Sequence, residues 1–184
     1  YSITTDESVT YQKDGTAINI TYTTPDDSDY SVEAVAAGRT AVEDGLYSVD
    51  DNVITLSGDL KPGSYTVTFS DDKYASKKSS TLVESGLEEG SVSIENNAVV
   101  ISDNEQGLTG ADYAAQVTSV VVNGEPVNAK GIAGILFNED GSINLDAEIE
   151  GQDGNVKVFD GSDSYEIEIE ATGYPAVKGT VTAQ

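Results

Sequence analysis

The chain has 184 residues, enough for one large domain or two small ones, and carries 33 acidic against 9 basic side chains. The formal charge of −24 repels nucleic acid and anionic lipid, so neither is expected as a partner. Cys, His, Met and Trp are absent, which excludes a disulfide framework, a zinc site and a serine–histidine–aspartate triad. The polar composition, with no apolar run long enough to cross a bilayer, indicates an extracellular bacterial module without direct membrane insertion.

Short segments of alternating apolar and polar residues run through the first half of the chain. They predict strands at residues 2–5, 9–11, 17–23, 30–36, 46–49, 53–57, 65–70 and 79–83. Turn-forming clusters such as Asp14-Gly15 and Lys61-Pro62-Gly63 separate these segments. Strands this short and this regularly spaced are typical of an antiparallel sandwich rather than an α/β fold.

A polar, glycine-containing joint near residues 84–90 predicts a boundary between two domains, at 1–84 and 85–184. In the second half, the same alternation predicts strands at residues 91–94, 99–101, 117–123, 136–137, 143–149, 156–159, 165–171 and 177–182. Residues 110–116 are the one stretch expected to form a helical turn. A hairpin is predicted around Asn96-Asn97, and Asn123-Gly124 is expected to end a strand in a tight turn.

Two segments one hundred residues apart have nearly the same pattern. Each begins with a tyrosine, alternates apolar and polar residues, turns, and then presents a second tyrosine and a lysine. The matching positions are Tyr65, Val67, Phe69, Tyr74 and Lys78 in one segment and Tyr165, Ile167, Ile169, Tyr174 and Lys178 in the other. A repeat with this spacing predicts two copies of one β-module. We therefore expect an all-β protein of two tandem immunoglobulin-like antiparallel β-sandwich domains.

The second half also contains a specific succession of short motifs. A strand runs into the segment VNG at residues 122–124, DGSINL follows at 140–145, and YEIEIEATGY lies at 165–174. Over roughly residues 111–182 this succession resembles the hemoglobin-interacting-domain family of Gram-positive bacterial surface proteins. The first half is similar only over residues 65–78. The resemblance implies a protein partner and a role in adhesion, cell-wall spacing or hemoglobin capture.

Tyrosines are the candidate ligand-binding residues. Tyr165 and Tyr174 lie in the segment that carries the resemblance, and a tyrosinate oxygen is able to ligate the ferric iron of haem. A tyrosine at the start of a strand or the end of a turn usually packs its ring on the sandwich rim. Binding through an exposed protein surface is therefore favoured over haem ligation, and no cofactor is expected.

Closely spaced acids in a turn give a candidate calcium site. Asp26, Asp27 and Asp29 place three carboxylates within four residues, and oxygen ligands are what calcium prefers. A second acidic segment, at residues 138–144, has the glycine of an EF-hand loop at Gly141. The first and last positions of that loop are apolar, so a hairpin turn is the better interpretation.

No enzymatic activity is expected. Glu166, Glu168 and Glu170 alternate with isoleucines, which places all three on one outward face of a strand. Glycoside hydrolysis needs two acids across a cleft, one with a pKa raised by burial. A solvated stripe is the better interpretation of these three residues.

These observations predict a non-catalytic extracellular surface module, acting as a structural spacer or as a protein-binding or adhesion domain. Capture of hemoglobin or another host protein is the first alternative. A carbohydrate-binding module is the second, and tyrosine would have to carry it because the chain has no Trp and 3 Phe. Residues 1–10 form either a strand of their own domain or a strand donated to a neighbour, which leaves monomer and strand-donated assembly both open.

Overall fold

The computed structural model describes residues 2–13, 18–102 and 105–183. The chain divides into two compact units, Tyr1–Gly86 and Leu87–Gln184, called the first and second unit below. This division falls two residues beyond the boundary expected from the sequence. The all-β prediction is confirmed, because strands far outnumber helices among the described residues and the helices are short. The turn predicted at Asp14-Gly15 lies outside the described residues.

The first unit is a sandwich of two sheets. Its strands are β1 (Thr4–Thr5), β2 (Ser8–Thr10), β3 (Ile18–Thr23), β4 (Ser31–Ala37), β5 (Thr40–Ala41), β6 (Tyr47–Asp50), β7 (Val53–Leu56), β8 (Gly63–Ser70) and β9 (Lys77–Glu84). One sheet has the order β1-β3-β7-β6 and the other the order β2-β9-β8-β4-β5. All neighbours are antiparallel except β2, which runs parallel to β9. These orders match the two sheets of an immunoglobulin domain, with β2 and β5 added at the edges.

Alternating apolar residues close the core of the first unit. On β3 every second side chain is buried, and the ring of Tyr22 meets that of Phe69 on the opposite sheet at 5.0 Å between centroids. Tyr65, near the start of β8, is 1% exposed, and its hydroxyl donates to the carbonyl of Lys61 at 2.6 Å. This hydrogen bond is the tyrosine corner that immunoglobulin-like domains use to fix the entry to this strand.

The N-terminal strands pair within the first unit. β1 pairs with β3, and β2 pairs with β9. Between them the N–H of Asp6 donates to the carbonyl of Thr21 at 3.0 Å, and the Asp6 carboxylate accepts the N–H of Thr21 at 2.8 Å. Residues 4–10 therefore form strands of their own domain in this structure, and Tyr1 lies outside the described residues.

The second unit is built around one four-stranded sheet. Its strands are β10 (Val92–Glu95), β11 (Ala98–Ile101), β12 (Val117–Val122), β13 (Glu125–Pro126), β14 (Glu148–Gly151), β15 (Gly154–Lys157), β16 (Ser164–Ala171) and β17 (Val177–Thr182), and its helices are α1 (Gly110–Ala115) and α2 (Ile132–Leu136). The sheet has the order β13-β12-β16-β17, while β10–β11 and β14–β15 are two-stranded hairpins. The hairpin predicted around Asn96-Asn97 is confirmed, with φ of 50° and 58° at the two residues.

The apolar face of this sheet is covered by a mixed layer. α2 packs on β12, β10 packs on β17, and α1 packs on β11. The hairpin crosses β17 so closely that a Cβ added at Gly179 would lie 2.8 Å from the Cβ of Ile94. The second unit is thus a sandwich in which one hairpin and two short helices take the place of a second large sheet.

Two strands predicted in the second half are wrong. Residues 136–137 were expected to be strand, but Leu136 ends α2, and Phe137 makes a single antiparallel bridge with Ile143. The strand expected at residues 143–149 is mostly turn and loop, and β14 begins at Glu148. A short apolar run buried by a helical turn has the same pattern as a buried strand, so periodicity does not separate them.

Candidate functional site

A pocket of about 280 Å³ lies in the second unit, at the end of the sheet where β16 begins. Its walls come from the turn between β12 and β13, the hairpin β14–β15, and the segment leading into β16. Five lining residues are buried or half-buried and apolar: Val122, Val127, Ile149, Val158 and Tyr165. Five others are exposed and polar: Asn123, Glu125, Lys157, Asp160 and Ser162. The pocket therefore has an apolar interior and a charged rim.

The VNG motif forms one edge of this pocket. Asn123 and Gly124 adopt φ of 49° and 79°, the left-handed conformations that a tight hairpin turn requires. The N–H of Asn123 donates to the carbonyl of Glu166 at 2.8 Å, and its side-chain Oδ1 accepts the N–H of Glu166 at 2.8 Å. Asn123 thereby extends the β12–β16 ladder by one position. The asparagine of the VNG motif therefore has a structural role.

Tyr165 forms part of the pocket wall. It is 4% exposed, and its ring meets that of Phe159 edge-on with centroids 5.2 Å apart. Its hydroxyl accepts the N–H of Ser162 at 3.1 Å. The ring is thus held in place by neighbours on both sides, and only its pocket face is available to a ligand.

Tyr174 lies beyond the opposite end of β16. It is half-buried and contacts Tyr113 edge-on at 5.2 Å between centroids, after a turn in which Gly173 adopts φ of 82°. The Tyr113 hydroxyl donates to the carbonyl of Pro175 at 2.9 Å, and burial raises the pKa of Tyr113 above its ordinary value. Tyr165 and Ala171 are six residue steps apart along β16, a span of about 20 Å. The structure therefore does not bring Tyr165 and Tyr174 together.

Tyr165, Tyr174 and the pocket at the start of β16 do not form a haem site. Tyr165 and Tyr174 occupy opposite ends of β16, and the hydroxyl of Tyr165 already accepts a backbone N–H. The pocket volume of about 280 Å³ lies below the roughly 300–1,000 Å³ of sites that bury drug-sized ligands. Glu125 and Asp160 on the rim also repel the anionic propionates of haem.

The three candidate calcium ligands lie before β4. Asp26 and Asp27 form a turn, whereas the backbone N–H of Asp29 donates to the carboxylate of Asp71 at 2.7 Å. The Asp29 carboxylate is 3.3 Å from the ammonium of Lys73. Backbone N–H donation from Lys73 holds the pKa of Asp71 below its ordinary value. Within the described residues no group of three or more His, Cys, Asp or Glu is placed to hold a metal ion, and the calcium hypothesis stays a prediction.

The glutamates of β16 lie on the solvent face of the sheet, as the alternation predicts. Glu166, Glu168 and Glu170 are exposed, and Glu168 lies 3.1 Å from the ammonium of Lys178 on the neighbouring strand. The acidic segment that has Gly141 is a tight turn between Phe137 and Ile143, with φ of 85° at the glycine. Neither feature assembles two carboxylates across a cleft.

The sequence did not single out the hairpin β14–β15, residues 148–157, called the exposed hairpin below. Val156 on this hairpin has 53% of its surface exposed, and its cross-strand neighbour Ile149 lines the pocket. The alternation at residues 156–159 predicts a strand, and it is the same alternation that marks core strands. Alternation alone does not tell whether a second layer covers an apolar face.

No helix in the described ranges has the length and apolar character that a bilayer crossing requires. No curated protein matches this chain. Similar solved structures include murine CEACAM1b, which is 10% identical with a TM-score of 0.31, covering 100% of this chain and 99% of that one. The fibronectin(III)-like modules of Clostridium thermocellum CbhA are 12% identical, with a TM-score of 0.32 and coverage of 98% and 92%. The tandem Ig repeats of Dlar are 8% identical, with a TM-score of 0.29 and coverage of 97% and 93%. The immunoglobulin topology of the first unit is identified by its strand orders.

A family model described as "Heme-binding protein Shr-like, Hb-interacting domain" matches residues 88–183. The match includes the VNG turn, β16 and the whole pocket, and covers more than half of the chain. It confirms the resemblance seen over roughly residues 111–182 and extends it to the hairpin β10–β11. Through its second unit, the chain belongs to the Shr-like hemoglobin-interacting-domain family.

Proposed function

We propose that the second unit is a non-catalytic protein-binding module of an extracellular bacterial surface protein and that its partner is hemoglobin. The family match over residues 88–183 is the observation that carries this proposal. The site geometry supports recognition of a protein surface, because the pocket is too small for haem and no tyrosine is free in it as a ligand.

The charge of the second unit supports a partner that presents basic groups. Residues 87–184 contain 18 acidic and 3 basic side chains, so the unit attracts basic surface over a Debye length of about 8 Å at physiological ionic strength. Complementary charge of this kind accelerates association and excludes acidic partners.

The test is a titration of hemoglobin against the immobilised chain by interferometry at physiological salt. We expect saturable binding with a Kd of tens of micromolar or tighter, a free energy of about −6 kcal/mol or below. Myoglobin is the control, because it carries the same haem in a different protein surface. The haem absorbance should stay with hemoglobin after separation. No binding at tens of micromolar removes hemoglobin as the partner.

For the first unit the proposed role is a structural spacer. Its outward strand positions are largely hydroxyl-bearing and pair with each other, as in the contact of Thr66 Oγ1 with Ser80 Oγ at 3.1 Å. Such a polar face keeps a sandwich soluble without offering an anchor to a partner. Thr66→Lys should leave hemoglobin affinity within about twofold of wild type. A tenfold loss would assign the first unit a share of the binding surface.

A further inference from the structure

We infer that the pocket and the neighbouring apolar face of the exposed hairpin form one docking surface for a protein segment that presents an apolar side chain beside a basic one. The inference rests on the proposed function, because it names the partner chemistry that the same unit recognises. It follows from the rigidity of the pocket walls, the uncovered face of the hairpin and the charge of the rim.

The pocket is preformed. Tyr165 is fixed between Phe159 and the N–H of Ser162, and Asn123 is fixed by two hydrogen bonds to the backbone of Glu166. A volume of about 280 Å³ accommodates one large apolar side chain. Small preformed pockets with a buried aromatic wall are where protein interfaces concentrate their binding energy, because the anchoring side chain is fully desolvated there.

The exposed hairpin continues the apolar surface of the pocket. Ile149 and Val156 are opposite each other in the register, so they share one face, and Ile149 also lines the pocket. Val156 leans towards the tip of the hairpin, since a Cβ added at Gly151 would lie 2.8 Å from its Cγ2. The N–H of Val158 donates to the carbonyl of Ala147 at 2.9 Å and fixes the base. Covering this face would remove from water the most exposed large apolar side chain of the described residues.

The charged residues on the rim of the pocket favour a basic occupant. Glu125 and Asp160 are exposed on it, against the single ammonium of Lys157. The opposite face of the hairpin adds Glu148 and Glu150, both exposed. An arginine or lysine next to the anchoring side chain therefore meets complementary charge. A second copy of this chain is a poor occupant, because each copy carries a formal charge of −24.

The first experiment does not depend on hemoglobin. Amide chemical shifts of the full chain are followed during titration with acetyl-Leu-Arg-amide and, separately, with acetyl-Leu-Glu-amide. We expect the arginine peptide alone to shift Asn123, Val158 and Ser162, with a Kd in the millimolar range. Equal shifts with both peptides, or none with either at tens of millimolar, overturn the docking surface.

The second experiment compares two matched valines in hemoglobin binding. Val156→Asp should weaken binding at least tenfold, whereas Val49→Asp, at a 42% exposed valine of the first unit, should stay within twofold. Asp160→Lys should also weaken binding at least tenfold, and Glu139→Lys, the same charge change outside the pocket, should have a smaller effect. Thermal unfolding of each variant controls for folding.

The two experiments separate the two ideas. Hemoglobin binding that survives both Val156→Asp and Asp160→Lys overturns the docking surface and leaves hemoglobin capture standing. Peptide discrimination at the pocket without hemoglobin binding supports the docking surface and removes hemoglobin as the partner.

Discussion

The two units share one strand pair almost residue for residue. β8 pairs with β9 and β16 pairs with β17 in the same register, displaced by one hundred positions. Thr68 is opposite Lys78 in the first unit, and Glu168 is opposite Lys178 in the second. The second tyrosine of each segment meets another ring, Tyr30 for Tyr74 and Tyr113 for Tyr174. The repeat in the sequence is therefore a repeat of this strand pair.

What covers the strand pair differs. In the first unit β6 and β7 form a hairpin that joins the opposite sheet, because β7 also pairs with β3. In the second unit β14 and β15 pair only with each other, and helices and the hairpin β10–β11 cover the sheet instead. One strand pair therefore accepts two kinds of second layer. The mixed layer leaves a hairpin uncovered, and that hairpin borders the pocket.

The largest expected effect comes from breaking the mixed layer. A Cβ added at Gly110, at the start of α1, would lie 2.0 Å from the carbonyl oxygen of Val99. Gly110→Ala should therefore destabilise the second unit by about 3 kcal/mol or more, because backbone has to move. Hydrogen exchange of β16 amides measures the loss, while β8 amides should keep their protection. Gly134→Ala is the control, since open space surrounds this helical glycine and alanine favours helix by about 1 kcal/mol. Equal protection in both variants would contradict the close approach of Val99 to α1.

Alkaline pH probes the buried tyrosines of both units. Burial raises the pKa of Tyr65 from 10.0 to about 12, and it also raises the pKa of Tyr113. A folded-state pKa above the unfolded value stabilises the fold fully below pH 10, and the stabilisation is lost as pH rises towards 12. For Tyr65 the loss is about 2–3 kcal/mol. At pH 11, midway between the two pKa values of Tyr65, about half of this loss is present. Urea unfolding at pH 8 and pH 11, followed by the methyl signals of Val67 and Ile167, should therefore show a decrease of about 1–1.5 kcal/mol in the first unit and a decrease in the second.

Single substitutions assign this loss to each unit. Tyr65→Phe should reduce the pH dependence of the Val67 signal and should cost about 1 kcal/mol at pH 8 for the lost hydrogen bond to Lys61. Part of the dependence should remain, because the pKa values of Tyr22, Tyr30 and Tyr47 are also raised. Tyr113→Phe should do the same for the Ile167 signal. An unchanged alkaline slope in both variants would place the titrating groups elsewhere.

The sequence predicts the repeated strand pair well because one face of each strand is buried and the alternation is complete. Tyr65, Val67 and Phe69 on β8, like their partners on β16, are buried at every second position. The sequence does not predict α2, because its five residues include a glycine and the residue before it, Gly131, has no side chain to cap the helix. Nor does it predict the pocket, whose walls come from segments that only the tertiary fold brings together. Tyr165 was found through its motif, whereas Val156 gave no signal that separates an uncovered strand from a core strand.

A smaller effect on stability is expected from one side chain in each unit that hydrogen-bonds a neighbouring strand in the same way. Asp6 holds both backbone groups of Thr21, as Asn123 holds both backbone groups of Glu166. In each pair only a side-chain oxygen is needed, so Asn123→Asp and Asp6→Asn should change stability by less than about 0.5 kcal/mol. Alanine at position 6 should cost about 1 kcal/mol, because a strand N–H loses its acceptor. Alanine at position 123 should cost about 1–2 kcal/mol more, because it is also strained at the φ of 49° that Asn123 adopts. Urea midpoints measure the four variants. An aspartate at position 123 that costs as much as alanine would show that the amide nitrogen matters there.

The smallest expected effect is the change in melting temperature on adding calcium, and it concerns the acidic turn of the first unit and not that of the second. In the second unit the Asp140 carboxylate accepts hydrogen bonds from the hydroxyl of Ser142 at 2.6 Å and from its N–H at 2.9 Å. Hydrogen bonds within the turn therefore stabilise this carboxylate. In the first unit the Asp29 carboxylate lies 3.3 Å from the ammonium of Lys73. Millimolar calcium should therefore raise the melting temperature of wild type by only about 1–2 °C over chelator, through weak binding at Asp26, Asp27 and Asp29. Lys73→Ala should increase that difference, because the Asp29 carboxylate then lacks its ammonium partner and is free to ligate. Identical melting curves with calcium and with chelator, in both wild type and Lys73→Ala, would end the calcium hypothesis, since removal of the competing ammonium gives the site its best opportunity to bind.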